Sequence, residues 1–340
     1  MTPRAVRRAR PLALVALLSL VAACGTSASA DSATGGGSGQ LTLHIGDQGK
    51  YLQTLLDTSG QSQGLGYRVV FDQFNSGPLV NQAFAAGAID LGVMGDTPAI
   101  YAAAAGVPVD VVGVSHTVGP GYTLVARAGS GIHTLADLKG HKVAYSKGTA
   151  NQGFLIQALN TVGLKQQDVT AVDVPLQNVG GVLESGTVDA ATAAPQDLIT
   201  YDRAHSDAVS LINGQQVSSG YTFWLASQKA LGDPARRKAL VDLLGRIVKA
   251  NSWTRSNPDP WIDAYYVKVN KQTPQVGKLV WQASGETKFV PLDGQVVAAQ
   301  QRQADLFLAN GQLPKKVDVS GEFPADVQRD FNPAVAAGQN

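Results

Sequence analysis

His44, His116, His133, His141 and His205 are the chain's only imidazoles, and none stands at the H-E-x-x-H or Cys/His spacing that a metal ligand set needs. The single cysteine, Cys24, closes an N-terminal apolar run, so the body of the chain has no thiol nucleophile. There is no G-x-S-x-G elbow, no G-x-x-x-x-G-K-[ST] phosphate loop and no G-x-G-x-x-G fingerprint. These residues predict no catalytic constellation, no metal and no cofactor. What the chain offers is recognition chemistry, in runs of small polar residues that follow apolar strands: Gly46-Asp47-Gln48-Gly49, Asn75-Ser76-Gly77-Pro78, Gly95-Asp96-Thr97-Pro98 and Ser146 to Gln152. In open α/β sheets such junctions line the crevice at the carboxyl ends of the strands, where ligands bind.

The junction at Lys147-Gly148-Thr149 carries the most chemistry. Thr149 reads as a helix cap, and the turn it opens (Ala150, Asn151, Gln152) holds no acid. That leaves backbone N–H groups and partial positive charge for an anion, with Lys147 beside them and Gly148 permitting close approach. A plain cap is the alternative reading. Asp96 and Thr97 are expected to complete the seat from the other side, with Gln48 and Ser76 as the next candidates.

The elements that must hold these junctions follow from periodicity. Strands are expected at Leu41–Gly46, Tyr67–Phe71, Ile89–Met94, Val109–Val114 and Tyr122–Arg127, alternating with helices that start near Tyr51, Pro78 and Thr97. A second set runs from Gly129 to Gly220: a capped turn at Thr134–Asp137, a strand at Lys142–Ser146, and a helix with Phe154, Leu155, Ala158 and Leu159 on one face. Gly87-Ala-Ile-Asp90 and Gly186-Thr-Val-Asp189 share one helix, glycine, strand rhythm, which suggests two domains on one plan. Beyond Asp233-Pro234 the chain reads as helical, with helices around Leu240–Val248, Trp261–Val267 and Gln295–Leu308. The strands Tyr122–Arg127 and Tyr221–Ala226 bracket the second domain and read either as a two-stranded hinge or as ordinary edge strands.

Ahead of the folded part, Arg4, Arg7, Arg8 and Arg10 precede an apolar run, Pro11–Leu20, and then Val21-Ala-Ala-Cys24. This is the pattern of a lipoprotein signal with a cleavage box, and an ordinary signal with an incidental cysteine is the alternative. Gly25–Gly39 is a Gly/Ser-rich tether. The chain carries 27 basic and 26 acidic residues, and loss of the four signal arginines leaves 23 against 26, a formal charge of −3. No basic face for nucleic acid is implied.

Several runs resemble one family: the lipobox, Gly95-Asp-Thr-Pro-Ala-Ile100, Thr134-Leu-Ala-Asp-Leu-Lys-Gly-His-Lys-Val-Ala144, Lys147-Gly-Thr149, Gln157-Ala-Leu159 with Gly163-Leu164, and Ala304-Asp-Leu-Phe307 with Leu313-Pro-Lys-Lys-Val-Asp318. Together they are similar to the aliphatic sulfonate-binding proteins of ABC importers, within a group that includes nitrate, taurine and thiamine-precursor binders. The resemblance runs from the lipobox to about Val319.

The resemblance implies an α/β fold of the type II periplasmic-binding-protein class, two lobes joined by a two-strand hinge. The expected boundaries are 1–23 for the signal, 24–40 for the lipidated cysteine and linker, 41–126 plus 222–340 for the first lobe with the C-terminal helices, and 127–221 for the second. It implies a non-enzymatic, monomeric receptor, anchored through Cys24 to the outer face of a membrane, that passes a small organosulfur anion to an ABC permease and its ATPase. Gly95, Asp96 and Thr97 would serve the ligand from the first lobe, and Lys147, Gly148, Thr149 and Gln196 from the second. Alternatives are a binder of taurine, nitrate or a thiamine-pyrimidine precursor, a sensor lipoprotein, and a desulfinase-like enzyme. The chain departs from the family at Asp47, where an acid would repel a sulfonate unless it turned away. It departs again at Ala190–Asp197, where aromatic residues are missing.

Overall fold

The computed structural model describes residues 40–339, and the expected signal, lipidated Cys24 and tether fall on residues outside them. Strands and helices alternate from the start: β1 (Thr42–Gln48), α1 (Tyr51–Thr58), β2 (Arg68–Phe74), α2 (Gly77–Ala85), β3 (Leu91–Gly95), α3 (Asp96–Ala105) and β4 (Val109–Val118). The chain then builds β5 (Thr123–Ala126), β6 (Lys142–Tyr145), α4 (Ala150–Asn160), β7 (Thr170–Asp173), α5 (Val179–Glu184), β8 (Ala190–Ala193), α6 (Pro195–Ala204), β9 (Val209–Asn213) and α7 (Gly214–Val217). It returns through β10 (Tyr221–Ser227) and α8 (Gln228–Gly232) to the long α9 (Pro234–Ser256). The remainder is α10 (Pro258–Trp261), a π-helical stretch at Ile262–Val269, α11 (Pro274–Ala283), β11 (Glu286–Val290), α12 (Gly294–Ala309) and α13 (Ala325–Gln339).

Two sheets result. The first has the order β11-β4-β10-β3-β1-β2 and the second β7-β6-β8-β5-β9. In the first, β1, β2 and β3 run parallel and β10 lies antiparallel between β3 and β4. In the second, β6, β7 and β8 run parallel and β5 is antiparallel to β8 and β9.

The short repeat in the sequence marks a real equivalence. Asp90 exchanges with β1 of the first sheet, its carboxylate accepting the His44 N–H at 2.8 Å and its own N–H reaching the His44 carbonyl at 2.7 Å. Asp189 does the same in the second sheet, at 3.0 Å from the Lys142 N–H and 2.9 Å to the Lys142 carbonyl.

The expected boundary of the first lobe at 126 does not match the sheets: Thr123–Ala126 pairs within the second sheet, while Tyr221–Ser227 belongs wholly to the first. The two strands therefore do not span the lobes side by side. The chain crosses between sheets in the short irregular segments that precede each strand. Both strands are apolar and buried on both faces, which is why their pattern could not tell which sheet each joins.

The first sheet packs under α9, whose Leu240, Leu243, Leu244, Ile247 and Val248 are all at most 1% exposed, as their spacing predicts. Asp233 caps that helix by accepting the Ala235 and Arg236 N–H groups at 2.9 and 3.1 Å. Phe154, Leu155 and Leu159 of α4 fill the core of the second lobe with Leu124 and Val143. The strand β11 was not expected in a stretch read as helical. Its five residues, Glu286-Thr-Lys-Phe-Val290, carry two charges and only one deeply buried side chain, as an edge strand tolerates.

Candidate functional site

A cavity of about 900 Å³ opens between the two sheets. Gln48 and Gly49 after β1, and Phe74 and Asn75 at the end of β2, line one side. Ala194 to Asp197, from β8 into α6, line the other, with Gly121 and Tyr122 of one crossing segment between them. The C-terminal segment closes the cavity with Arg255 of α9, Trp261, Tyr265 and Tyr266, and Trp281 of α11. A second cavity of about 320 Å³ lies deeper in the first lobe and shares Gln48, Tyr51, Asn251, Tyr265 and Thr287 with the first. Its wall includes Gly95, Ser115, Thr222 and Trp224, and the Trp224 Nε1–H has no hydrogen-bond partner among the described residues although the residue is 4% exposed.

The aromatic wall expected to be missing at Ala190–Asp197 is supplied from elsewhere. Trp261 and Tyr265 stack with ring centroids 5.0 Å apart and planes 5° from parallel. Tyr51 meets both rings edge-on, at 5.5 and 5.3 Å. The helix predicted at Trp261–Val267 is wound more widely than an α-helix: the Asn270 N–H reaches back five residues to the Tyr265 carbonyl at 2.9 Å. Such wide turns are rare and collect at functional sites. This one presents the neighbouring Tyr265 and Tyr266 to the same cavity.

Charge in the cavity lining is sparse and divided between the lobes. Arg255 is its single cation; Nη1 donates to the Thr287 carbonyl at 2.6 Å and Nε stands 3.6 Å from Glu286 Oε1. Asp197 is its single acid, and burial pushes that carboxyl up to about 6.

The predicted residues divide into two groups. Gln48 lines both cavities, its amide fixed by a 2.7 Å bond to the Val93 carbonyl. Gln196 lines the larger and Gly95 the smaller. Ser76 does not line either one, and its neighbour Asn75 takes that place.

Asp96, Thr97, Lys147, Gly148 and Thr149 also line neither cavity. They lie where the lobes are joined. A side chain at Gly95 would bring its Cβ within 2.6 Å of Ala150 Cβ, and one at Gly153 would run into the Thr97 hydroxyl. Asp96 is 6% exposed and accepts the Thr97 N–H at 2.6 Å and the Ser219 hydroxyl at 2.9 Å. Burial raises its pKa against these bonds. Gln300 and Gln303 of α12 donate to the Asp96 carbonyl at 2.9 Å and to the Thr97 hydroxyl at 3.2 Å.

At the expected anion seat at the start of α4, three backbone donors are engaged within the chain. The Lys147 N–H goes to Asp173 Oδ1 at 2.9 Å, the Gly148 N–H to Gln152 Oε1 at 2.8 Å, and the Asn151 N–H to the Thr149 hydroxyl at 3.2 Å. Thr149 is a cap, the alternative reading of that residue. The first turn lacks an acid in sequence, but Asp173 brings one from β7, which no local reading could see.

Asp47 resolves in a similar way. Its carboxylate is fully buried and accepts the Leu52 and Gln53 N–H groups at 2.9 and 3.1 Å. It faces neither ligand nor solvent but fills the N-terminus of α1.

Sequence reasoning missed Arg255 and the aromatic wall. A signal was present: three of the chain's four tryptophans line one or other cavity, in a chain that is only 6% aromatic.

Two α/β sheets, a pair of crossing segments and a cavity at the carboxyl ends of both sets of parallel strands define a periplasmic-binding-protein-like fold of the type II class. The chain belongs to the NMT1/THI5-like family, whose model matches residues 62–233. It is 30% identical, over 74% of its own length and 78% of the relative's, to an Escherichia coli (strain K12) protein named as an aliphatic sulfonates-binding protein. Among solved structures, it resembles the alkanesulfonate-binding protein SsuA from Xanthomonas axonopodis pv. citri bound to MOPS, with a TM-score of 0.75, 27% identity and coverage of 83% of this chain and 98% of that one. The desulfurization enzyme DSZB shares the fold alone, at a TM-score of 0.58 and 15% identity, with 86% of this chain and 99% of that one covered.

Proposed function

We propose that this chain is an extracytoplasmic solute-binding protein that captures an aliphatic sulfonate between its lobes and delivers it to an ABC permease. One observation carries the reading: among the described residues, Arg255 is the one cation lining the interlobe cavity, which an aromatic wall also lines. That pairing suits a ligand with one anionic head and an apolar body. Nη1 of Arg255 is engaged by the Thr287 carbonyl and Nε faces Glu286, which leaves Nη2 as the natural partner for a sulfonate oxygen. The family relatives and their named ligands support the same reading.

Titration calorimetry with pentanesulfonate tests it. Wild-type protein should bind, and Arg255→Gln should lose about tenfold or more in affinity, as expected for a charge-assisted contact. A wild-type protein that ignores alkanesulfonates would end the reading.

Lipid attachment at Cys24 belongs to the same proposal. Cys24→Ala should abolish the mass increment of a diacylated N-terminus and release the protein from the membrane fraction. A wild-type mature protein whose N-terminal cysteine carries no lipid would count against it.

A further inference from the structure

The cavity holds an acid that an anion-binding site does not need. Asp197 projects from the first turn of α6 into the same space as Arg255, but from the opposite lobe. It makes no ion pair among the described residues, whereas Arg255, the other charge in the cavity lining, faces Glu286. Its nearest neighbours are neutral: a Cβ at Gly180 would come within 2.9 Å of its carboxyl carbon, and Gln196, Gln177 and Tyr122 share its wall. Position in the first turn suits the helix dipole. Burial nevertheless outweighs that, and the carboxyl is raised, which is the mark of a charge left without compensation.

For a purely anionic ligand, Asp197 would be a repulsive group facing the cavity. For a ligand with a cation at its far end it is a partner. The aromatic lining fits the same demand, since the π face of a partly exposed ring such as Tyr265 or Trp281 attracts a cation as well as packing an alkyl group. A volume of about 900 Å³ also exceeds what a short alkanesulfonate would fill.

We infer that the ligand is zwitterionic, a sulfonate whose body carries an ammonium group, and that Asp197 is the specificity-determining residue that receives that ammonium. The inference rests on the sulfonate reading above and adds the second charge. Arg255 on one lobe and Asp197 on the other then hold the two ends of one molecule, so both bonds exist only when the lobes enclose it.

Two probes of nearly equal shape separate the charges: piperidinylpropanesulfonate, whose ring nitrogen is protonated at neutral pH, and cyclohexylpropanesulfonate, which has carbon in its place. Calorimetry on wild type should show the piperidinium probe binding about tenfold tighter or better, the return on one charge-assisted contact. In Asp197→Asn, near-isosteric and checked for folding by its melting curve, that preference should collapse to about twofold or less, with the cyclohexyl probe held at least as well as before. A wild type that binds the cyclohexyl probe as tightly as the piperidinium one overturns the inference and leaves the sulfonate reading standing. So does a preference that survives in Asp197→Asn. A wild type that binds neither probe overturns the sulfonate reading itself, and this inference with it.

Discussion

The carboxylate of Asp47 accepts the backbone N–H of Leu52 at 2.9 Å, so a helix start that opens toward the cleft is closed by the chain's own anion. The same carboxylate takes the Gln53 N–H at 3.1 Å and the Gln73 side-chain amide at 3.2 Å, and is fully buried. Helix N-termini attract ligand anions because their N–H groups lack partners. At α1 those partners are supplied internally, and at α4 Asp173 and Gln152 do the same. The start of α1 borders the cavity without donating to it and the start of α4 lies at the lobe junction, which leaves the Arg255 guanidinium as the cation of the cavity lining.

Asp47→Ala strips two backbone donors of their acceptor in a site with no water access. It should destabilise the fold by about 1–3 kcal/mol, while Asp47→Asn, which keeps one acceptor oxygen, should cost less. Urea unfolding of the three proteins orders them. Equal stability of Ala and wild type would mean that the carboxylate does not hold the helix start.

Gly153 of α4 packs against Thr97 of α3. Any side chain there meets the Thr97 hydroxyl and comes within 2.9 Å of Gln303 Nε2. Gly153→Val should force the lobes apart at their junction and lower stability by about 1–3 kcal/mol, as overpacking does. Gly232→Val is the control, since a Cβ there meets nothing. Melting curves should fall for the first variant by several degrees more than for the second.

The alternation of strands and helices was legible because each lobe obeys the parallel α/β pattern, down to the paired Asp90 and Asp189. The crossing point was harder, since Thr123–Ala126 and Tyr221–Ser227 are equally apolar and only their partners distinguish them. The site was half legible. Gln48 and Gln196 lie at strand ends, where the fold class puts ligands. Asp96 and Thr97 have the same local signature, yet their side chains turn into the lobe junction through bonds to Ser219 and Gln303, partners distant in sequence that no local pattern reports. The Thr149 hydroxyl is taken up locally, by the Ser146 carbonyl and the cap of α4. Arg255 and the aromatic wall come from the C-terminal segment, which no strand-end rule covers.

Glu322 is 8% exposed, and among the described residues neither of its carboxylate oxygens has a hydrogen-bond partner. Burial, with Asp110 close by, pushes its carboxyl up from 4.5 to about 8. Asp110 itself is held by the Gln228 amide at 2.9 Å and feels Arg237 and Asp326. A raised acid means that the folded state binds the proton more tightly than the unfolded one. Its contribution is therefore complete below about pH 4.5 and is lost as pH rises to about 8. Glu322→Gln, neutral at every pH, should match wild type near pH 5 and be more stable near pH 9 by an amount on the order of 4 kcal/mol at most. Melting temperatures across that range test this, and a gap that does not widen with pH would refute it.

Trp281 of α11 lines the cavity and is only partly buried, so it can lose its ring with less damage to the core than Trp261, which is 3% exposed. If the ligand body lies along this wall, affinity should grow with its apolar length. Each methylene fully removed from water contributes about 0.8 kcal/mol, roughly a fourfold gain. Calorimetry on ethane-, butane- and hexanesulfonate measures that slope in wild type. Trp281→Ala should flatten it, with little loss for the shortest ligand, whose head still reaches Arg255, and the greatest loss for the longest. An equal loss at all three lengths would show that the ring only supports the fold around the head group. An unchanged slope would place the ligand body against another wall of the cavity.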